Sequence, residues 1–275
     1  MSLRALPLSQ TRAPWRDLIS SHLEKQKEYD FTVATVGYDA KQRIVPRVRT
    51  CGFRGFFPEL KLHPSGQKDM DQQVEDGGNP PLFESDLLSF TSDIRMEKLR
   101  QLDSTGNSIE AMFWLKEVMV QWRIKGQAYY IGSPAAESGK ESDLQAQLFK
   151  ALRRKDDYHG DEKADFKKWT WDKAITKYFA NHSPAMRGSF RNPPPGQPRT
   201  QQLSNPDLSL GQKVSDLHDP VARANFRLVL ILPEEVEQLD LSNGDDPRRR
   251  KWTLVGGDGD VERTGGQWQE SELWP

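Results

Sequence analysis

The stretch from Ile109 to Ile124 constrains the fold more than any other part of this chain. Apolar residues recur at every second position, first at Ile109, Ala111, Phe113 and Leu115, then at Val118, Val120, Trp122 and Ile124. A period of two puts each set on one face of a strand, and the short break near Lys116-Glu117 predicts an antiparallel hairpin. Phe31 to Tyr38 and Ile44 to Arg54 read as a second strand pair, joined by a polar turn around Asp39-Ala40-Lys41. Further strand character appears at Leu87–Thr91, Phe226–Leu232, Val236–Leu241 and Lys251–Val255, with a last short segment around Trp268.

Helical signals lie at the start and in the middle. Pro14 suits the first position of a helix because its missing N–H would be unpaired there, and Trp15, Leu18, Ile19, His22 and Leu23 then share one face. A short helix is expected over Arg95–Leu102, and longer ones over Asp143–Arg154 and Asp165–Ala180. Residues 57–84 are polar and turn-rich and read as a surface loop; 192–216, with three consecutive prolines and then Gln, Ser and Asn, reads as an extended or disordered loop. Early and late strands with helices between them predict a single α+β domain over 1–275, its sheet closing into a small antiparallel barrel. Two domains split near Ser133 are the alternative, and neither half has enough strands for a sheet of its own.

With 39 basic and 40 acidic residues the formal charge is -1, which argues against a protein devoted to nucleic-acid backbone or an anionic membrane. Cys51 is the only cysteine, so no intramolecular disulfide and no cysteine-based zinc site can form. A lone thiol fits a reducing compartment. No apolar run approaches the roughly 20 residues of a membrane span. The start, Met1-Ser2-Leu3-Arg4-Ala5-Leu6-Pro7, is too short and interrupted for a signal peptide. The expected location is therefore cytoplasmic. His22, His63, His159, His182 and His218 are scattered without metal-ligand spacing, and Walker, Rossmann and Gly-x-Ser-x-Gly signatures are missing.

Two segments carry the chemistry. Val48-Arg49-Thr50-Cys51-Gly52-Phe53-Arg54-Gly55 is a strand with two cations, and Phe90-Thr91-Ser92-Asp93-Ile94-Arg95-Met96-Glu97-Lys98 runs from a strand into a basic helix start. Arg95 and Lys98, three apart, share a side of that helix, and Thr91 and Ser92 add hydroxyls. Guanidinium, ammonium and hydroxyl donors near a helix start suit a phosphate. Strict alternation sends Arg49 and Arg54 to opposite faces, so both reach one ligand only if Gly52 or Gly55 marks a bulge. Solvated surface charge is the plain alternative. Gln121, on a strand otherwise carrying Val120, Trp122 and Ile124, offers a carboxamide to the polar edge of a ring system. The run Arg248-Arg249-Arg250-Lys251 reads as a solvated turn before a strand, or less readily as a nucleic-acid patch.

These segments, in this order, resemble the pyridoxamine 5'-phosphate oxidase-like flavoproteins. Ala13-Pro14-Trp15-Arg16, the Arg49–Arg54 strand, Phe90 to Arg95 with Lys98, and Gln121 to Gly126 carry the likeness. His182-Ser183-Pro184-Ala185-Met186-Arg187-Gly188-Ser189-Phe190, Pro193-Pro194-Pro195-Gly196, Asn225-Phe226-Arg227-Leu228 and Arg248–Trp252 extend it. The resemblance implies an antiparallel FMN-binding split β-barrel of Greek-key type with surrounding helices. It also implies FMN as cofactor, a homodimer with flavin at the subunit interface, and a small-molecule substrate. Arg49, Arg54, Arg95 and Lys98 would then hold the phosphate, with Thr91 nearby, Gln121 at the isoalloxazine ring, and Arg187 and Ser189 at a flavin or substrate contact. The chain departs from authentic pyridoxamine phosphate oxidases in lacking their C-terminal Arg-x-His arrangement, in ending on Glu272-Leu273-Trp274-Pro275, and in placing Glu97 beside the cations. Three functions stay open: an FMN-dependent oxidoreductase, an FMN carrier or regulator without turnover, and a basic-patch interaction protein binding no flavin.

Overall fold

The structure, a computed structural model, describes residues 11–26, 30–132, 139–203, 205–256 and 266–275. Its main sheet is antiparallel. Strands β1 (Asp30–Tyr38) and β2 (Ile44–Gly52) pair in register from Asp30↔Gly52 to Tyr38↔Ile44. Their turn is held by Asp39, whose carboxylate accepts from the N–H of Lys41 and of Arg43 at 2.8 and 3.0 Å. Two strands named in chain order come next: β3 (Phe83–Glu84), a short ladder, and β4 (Leu88–Asp93). The predicted hairpin is β5 (Ser108–Leu115) and β6 (Val120–Ile131), with Met119 in the left-handed region at φ 53° closing the turn.

The strand β7 (Arg153–Arg154) pairs with β3, and β8 (Phe226–Asp240), β9 (Arg248–Val255) and β10 (Gln267–Leu273) complete the set. The order across the sheet is β10-β9-β8-β6-β5-β1-β2, with β4 also on β8. β4 takes residues 226–231 of β8 and β9 takes 235–240. The sequence predicts two strands there. One continuous strand forms instead, passing through Pro233 where its neighbour β6 shifts register at Lys125/Gly126. A proline has no N–H for the ladder, so a bulge is where it fits. Gly126 makes the fit possible: a Cβ there would lie 2.0 Å from the Leu232 carbonyl oxygen. Beyond β2, Arg54 N–H donates to Ser89 O (2.8 Å), Ser89 N–H to Gly55 O (3.0 Å) and Phe57 N–H to Leu87 O (2.9 Å), so the chain leaves β1 and runs along β4.

Helix α1 (Arg16–Leu23) lies where predicted, burying Ile19 and Leu23. Residues 57–84, expected as loop, carry α2 (Pro64–Gln73), capped by His63 with proline at its start. Their polar composition hid it, because only Gly66 and Met70 of α2 are buried. α3 (Glu97–Ser104) follows β4. The 143–154 helix is α4 (Gly139–Phe149), which stops before β7. The expected 165–180 helix is broken into α5 (Glu162–Lys168) and α6 (Trp171–Ala180), because Thr170 takes an extended conformation and caps α6 through the Lys173 N–H. Short helices α7 (Pro184–Gly188) and α8 (Pro220–Asn225) precede β8. The described part of 192–216 has no helix or strand, yet it is pinned at Ser209 N–H to Arg191 O and Val214 N–H to Pro184 O, with Leu208 and Val214 buried. The alternative domain boundary at Ser133 lies outside the described residues.

β8 separates two apolar cores. Val229, Ile231 and Val236 join Trp15, Phe31, Phe113, Trp122 and Trp252 among the strands. Phe226, Leu228 and Leu230 face the helices, with Phe57, Ile175, Tyr178 and Phe179. Alternation gives this split over 226–231, and the extra β8 residue at the bulge between Pro233 and Glu235 carries Val236 onto the strand side.

Candidate functional site

A cavity of about 650 Å³ opens where the end of β2, β4, the start of α3 and the segment after α6 meet. That lies within the roughly 300–1,000 Å³ of small-molecule clefts. Each wall has a local cause. Asp93 ends β4 by accepting from the Arg95 N–H at 2.8 Å, a turn that starts α3 and brings Lys98 back against β4. The Lys98 ammonium donates to Ser92 Oγ at 3.2 Å. Ser183 caps α7 through the Met186 N–H, with Pro184 behind it, and so fixes His182 at the cavity wall.

His182 is 5% exposed and sits between two expected site residues. Its Nδ1 is 3.4 Å from Arg54 Nη2 and its Nε2 is 2.9 Å from Thr91 Oγ1. Burial, reinforced by the nearby Arg54 and Arg187 charges, pushes its pKa down to about 3, so the ring is neutral. Burial also lowers the pKa of Arg54 and of Lys98. Arg54 Nε is buried without a partner, and neither Arg54 nor Lys98 has an ion pair among the described residues. Two cations are thus held against the cost of desolvation with only the Asp30 and Asp93 carboxylates, beyond ion-pair reach, to offset it, an arrangement that attracts an anion. Cys51 also lines the cavity; burial raises its pKa, opposed by Lys98 and Arg49.

Of the eight sequence-derived residues, Arg54, Thr91, Lys98 and Ser189 line this cavity. Arg49, Arg95, Gln121 and Arg187 do not. Arg49 shares a face of β2 with Cys51 but is turned away, donating to Thr35 Oγ1 (2.7 Å) and Gln101 Oε1 (2.9 Å). No bulge turns it round: Gly55, at φ 86°, lies beyond Arg54. Arg95 pairs with Asp93 through two contacts (2.8 and 2.6 Å) and donates to the carbonyls of Asn192 and Phe190, tying β4 to a segment that walls the cavity. Arg187, 1% exposed, pairs with Asp69 of α2 at 2.6 Å. Gln121 lies between Trp114 and Leu239 near the hairpin end. Ser92, read from the sequence only as an added hydroxyl, also lines the cavity, and His182 and Arg199 are lining residues not singled out as site residues; the Ser-Pro cap right after His182 was the available signal.

The β9 basic run is a different matter. Arg248 meets Asp246 (2.8 Å), Arg249 meets Glu237 (2.8 Å), Lys251 meets Glu235 (3.6 Å) and Arg250 meets Glu270 (3.9 Å). These charges stitch β9 to its neighbours. Among the described residues no helix is long and apolar enough to cross a membrane, and no cluster of three His, Cys, Asp or Glu could hold a metal.

Comparison with known proteins bears on the family and the fold. Residues 12–132 match the family described as pyridoxamine 5'-phosphate oxidase, FMN-binding domain. The matched segment contains β1, β2, β4, α3 and the hairpin, so the likeness carried by the motifs holds there, and FMN is the cofactor that the match supports. Among curated proteins none matches the chain. A pyridoxamine 5'-phosphate oxidase-related, FMN binding protein from Nostoc punctiforme PCC 73102 superposes with a TM-score of 0.57 at 19% identity, over 97% of this chain and 100% of that one. The mixed α+β architecture is therefore one that a solved structure of this kind also adopts. PhzG from Burkholderia lata 383, solved in complex with tetrahydrophenazine-1-carboxylic acid, aligns over 98% of this chain and 100% of its own at 14% identity, with a TM-score of 0.39.

Proposed function

We propose that the chain is an FMN-dependent oxidoreductase that binds its flavin in this cavity, with pyridoxamine or pyridoxine 5'-phosphate as the first substrates to test. The observation that carries the reading is the convergence of Arg54, Lys98, Thr91 and Ser92 on one cavity. That donor set fits a phosphate monoester: a fork of N–H groups, an ammonium and two hydroxyls, two of the four charged and without an ion pair among the described residues. When bound, FMN supplies two-electron redox chemistry. The chain's own residues grip the phosphate, exclude water with the apolar side chains of Met96, Met186 and Phe190, and hold the wall through Arg95.

The same reading covers the rest of the architecture. The path β1–β2–β4–β8–β6–β5 and back to β1 supports a split barrel in a single domain, with the 54–57 hydrogen bonds to β4 as its seam. On β2, Ile44 is 71% and Val48 69% exposed, and the next residues of that face, Thr50 and Gly52, line the cavity. An apolar face continuous with a ligand cavity favours a homodimer in which a second copy completes the flavin site, and Gln121 would reach a ring only across such an interface. We place the protein in the cytoplasm on the lone thiol. The second reading is an FMN carrier without turnover. It is favoured by the one imidazole in the described lining being fixed between Arg54 and Thr91, where it is not free to move protons.

Purification decides between them. Bound yellow chromophore, or reconstitution of a colourless protein by FMN, is expected. Hydrogen peroxide released on adding pyridoxamine 5'-phosphate supports the oxidase, and none with any B6 vitamer leaves the carrier. A protein that FMN cannot reconstitute overturns both.

A further inference from the structure

His182 has more to say about how the site works. A guanidinium has five N–H donors and no acceptor, so the atom facing Arg54 must present a lone pair. That atom is Nδ1, at 3.4 Å. A neutral imidazole with a bare Nδ1 carries its hydrogen on Nε2, and Nε2 faces Thr91 Oγ1 at 2.9 Å. Phe190 and Phe226 pack edge-on against the ring at 5.9 and 6.0 Å between centroids, tilted 65° and 77°, and fix its plane; a half-turn within that plane would put carbons in place of both nitrogens and lose both contacts. Thr91 therefore accepts from His182. Its own hydrogen has no other partner among the described residues, and Thr91 lines the cavity.

We propose that His182 is a positioning residue that orders the anion cradle, fixing Arg54 through Nδ1 and, through its Nε2–H, turning the Thr91 hydroxyl into a committed donor to the ligand's phosphate. Without the imidazole, Thr91 is free to rotate and to point a lone pair at an anion, and the Arg54 fork loses its lateral stop. A positioned donor binds more tightly than a rotating one because its orientation is fixed before the ligand arrives. The inference rests on the cavity holding the phosphate of FMN.

The test measures flavin affinity of the apoprotein by quenching of flavin fluorescence, for FMN and for riboflavin, which lacks the phosphate. His182→Phe keeps bulk and removes both nitrogens; Thr91→Val removes the hydroxyl; His182→Gln restores one donor and one acceptor. We expect His182→Phe and Thr91→Val each to weaken FMN about tenfold or more, and the double variant to be little worse than His182→Phe alone, because loss of the imidazole already removes the committed donor that Thr91→Val deletes. His182→Gln should recover most of the loss, and riboflavin affinity should change by less than about threefold throughout. Wild-type affinity in folded His182→Phe, fully multiplicative effects, or equal losses for riboflavin would each overturn the role of His182. Should His182→Phe not fold, Thr91→Val and His182→Gln still decide: wild-type FMN affinity in Thr91→Val removes the donor on which the proposal depends. A wild-type protein that binds no FMN fails at the earlier step and removes the cofactor reading as well.

Discussion

Two clusters of positive charge look alike in this sequence and differ in the structure. The cavity holds Arg54 and Lys98, half-buried and without ion pairs among the described residues, beside hydroxyls and a neutral imidazole. Strand β9 holds Arg248 to Lys251, each facing a carboxylate on an adjacent strand or turn. What separates the proposed ligand cradle from the structural seam is therefore not the density of cations but whether carboxylate partners are already in ion-pair reach. A cation that is desolvated and left unpaired is costly unless an anion arrives. One stitched to Glu across a ladder is satisfied, and contributes little when exposed.

The sharpest way to break this contrast is to remove the unpaired charges. Arg54→Ala with Lys98→Ala deletes two charge-assisted donors worth on the order of 1.5–3 kcal/mol each. FMN affinity should fall by about a hundredfold or more, read by fluorescence titration, with the fold preserved. Retained affinity in that double variant would put the phosphate somewhere else.

Arg95 tests the contrast from the opposite side, because it belongs to the cavity's motif yet is paired. Arg95→Ala leaves Asp93, 6% exposed, without its two contacts, and frees the carbonyls of Asn192 and Phe190. The loss expected is about 2–3 kcal/mol of stability, the cost of stranding a mostly buried carboxylate. Denaturant unfolding measures it. Weaker FMN binding at unchanged stability would instead make Arg95 a ligand contact.

A third test uses pH. The unfolded chain takes up a proton on His182 near the ordinary value of about 6.5, while the folded site resists it until about 3. Stability is then fully present above the unfolded value and falls as pH drops through the window between the two. From pH 7 to pH 5 wild type should lose about 2 kcal/mol more than His182→Gln, which does not titrate there. Superimposable profiles for the two proteins would mean that the imidazole is solvated.

How much of this could be read from the sequence depends on the residue. Period-two alternation placed β5 and β6, and β1 with β2, because each buries one set of side chains against a core and a register slip would expose it. The resemblance put Arg49 and Arg54 on one phosphate; in the structure Arg49 donates to Thr35 and Gln101 while Arg54 lines the cavity. Helix α2 was not legible, since a helix that buries so few of its residues leaves almost no apolar period. Nor was the continuity of β8, because Pro233 looks like a break until Gly126 of the neighbouring strand supplies the bulge. Of the expected site residues, Arg54, Thr91, Lys98 and Ser189 line the cavity, whereas Arg95 and Arg187 are paired outside its lining. Asp93 is two residues from Arg95 and legible in hindsight. Asp69 is 118 residues from Arg187, and no local pattern announces it. His182 was missed for a related reason: both of its partners are distant in sequence, at positions 54 and 91.

The smallest expected effect is the one that completes the contrast. Arg250 and Lys251 meet their carboxylates at 3.9 and 3.6 Å with side chains about a third exposed, 37% and 32%. Pairs so long and so wet gain little over solvated charges, and salt screens what they gain. Arg250→Ala with Lys251→Ala should therefore shift stability by less than about 1 kcal/mol and leave FMN affinity unchanged, by the same titration that detects the loss in the cavity variant. Arg250 also lies 5.5 Å over the Trp252 ring, so whatever loss appears should come largely from that contact and persist at high salt. A fall in FMN affinity here would mean that β9 reaches the flavin, directly or from a second copy, and that paired cations cannot be set aside when a site is read from its charges.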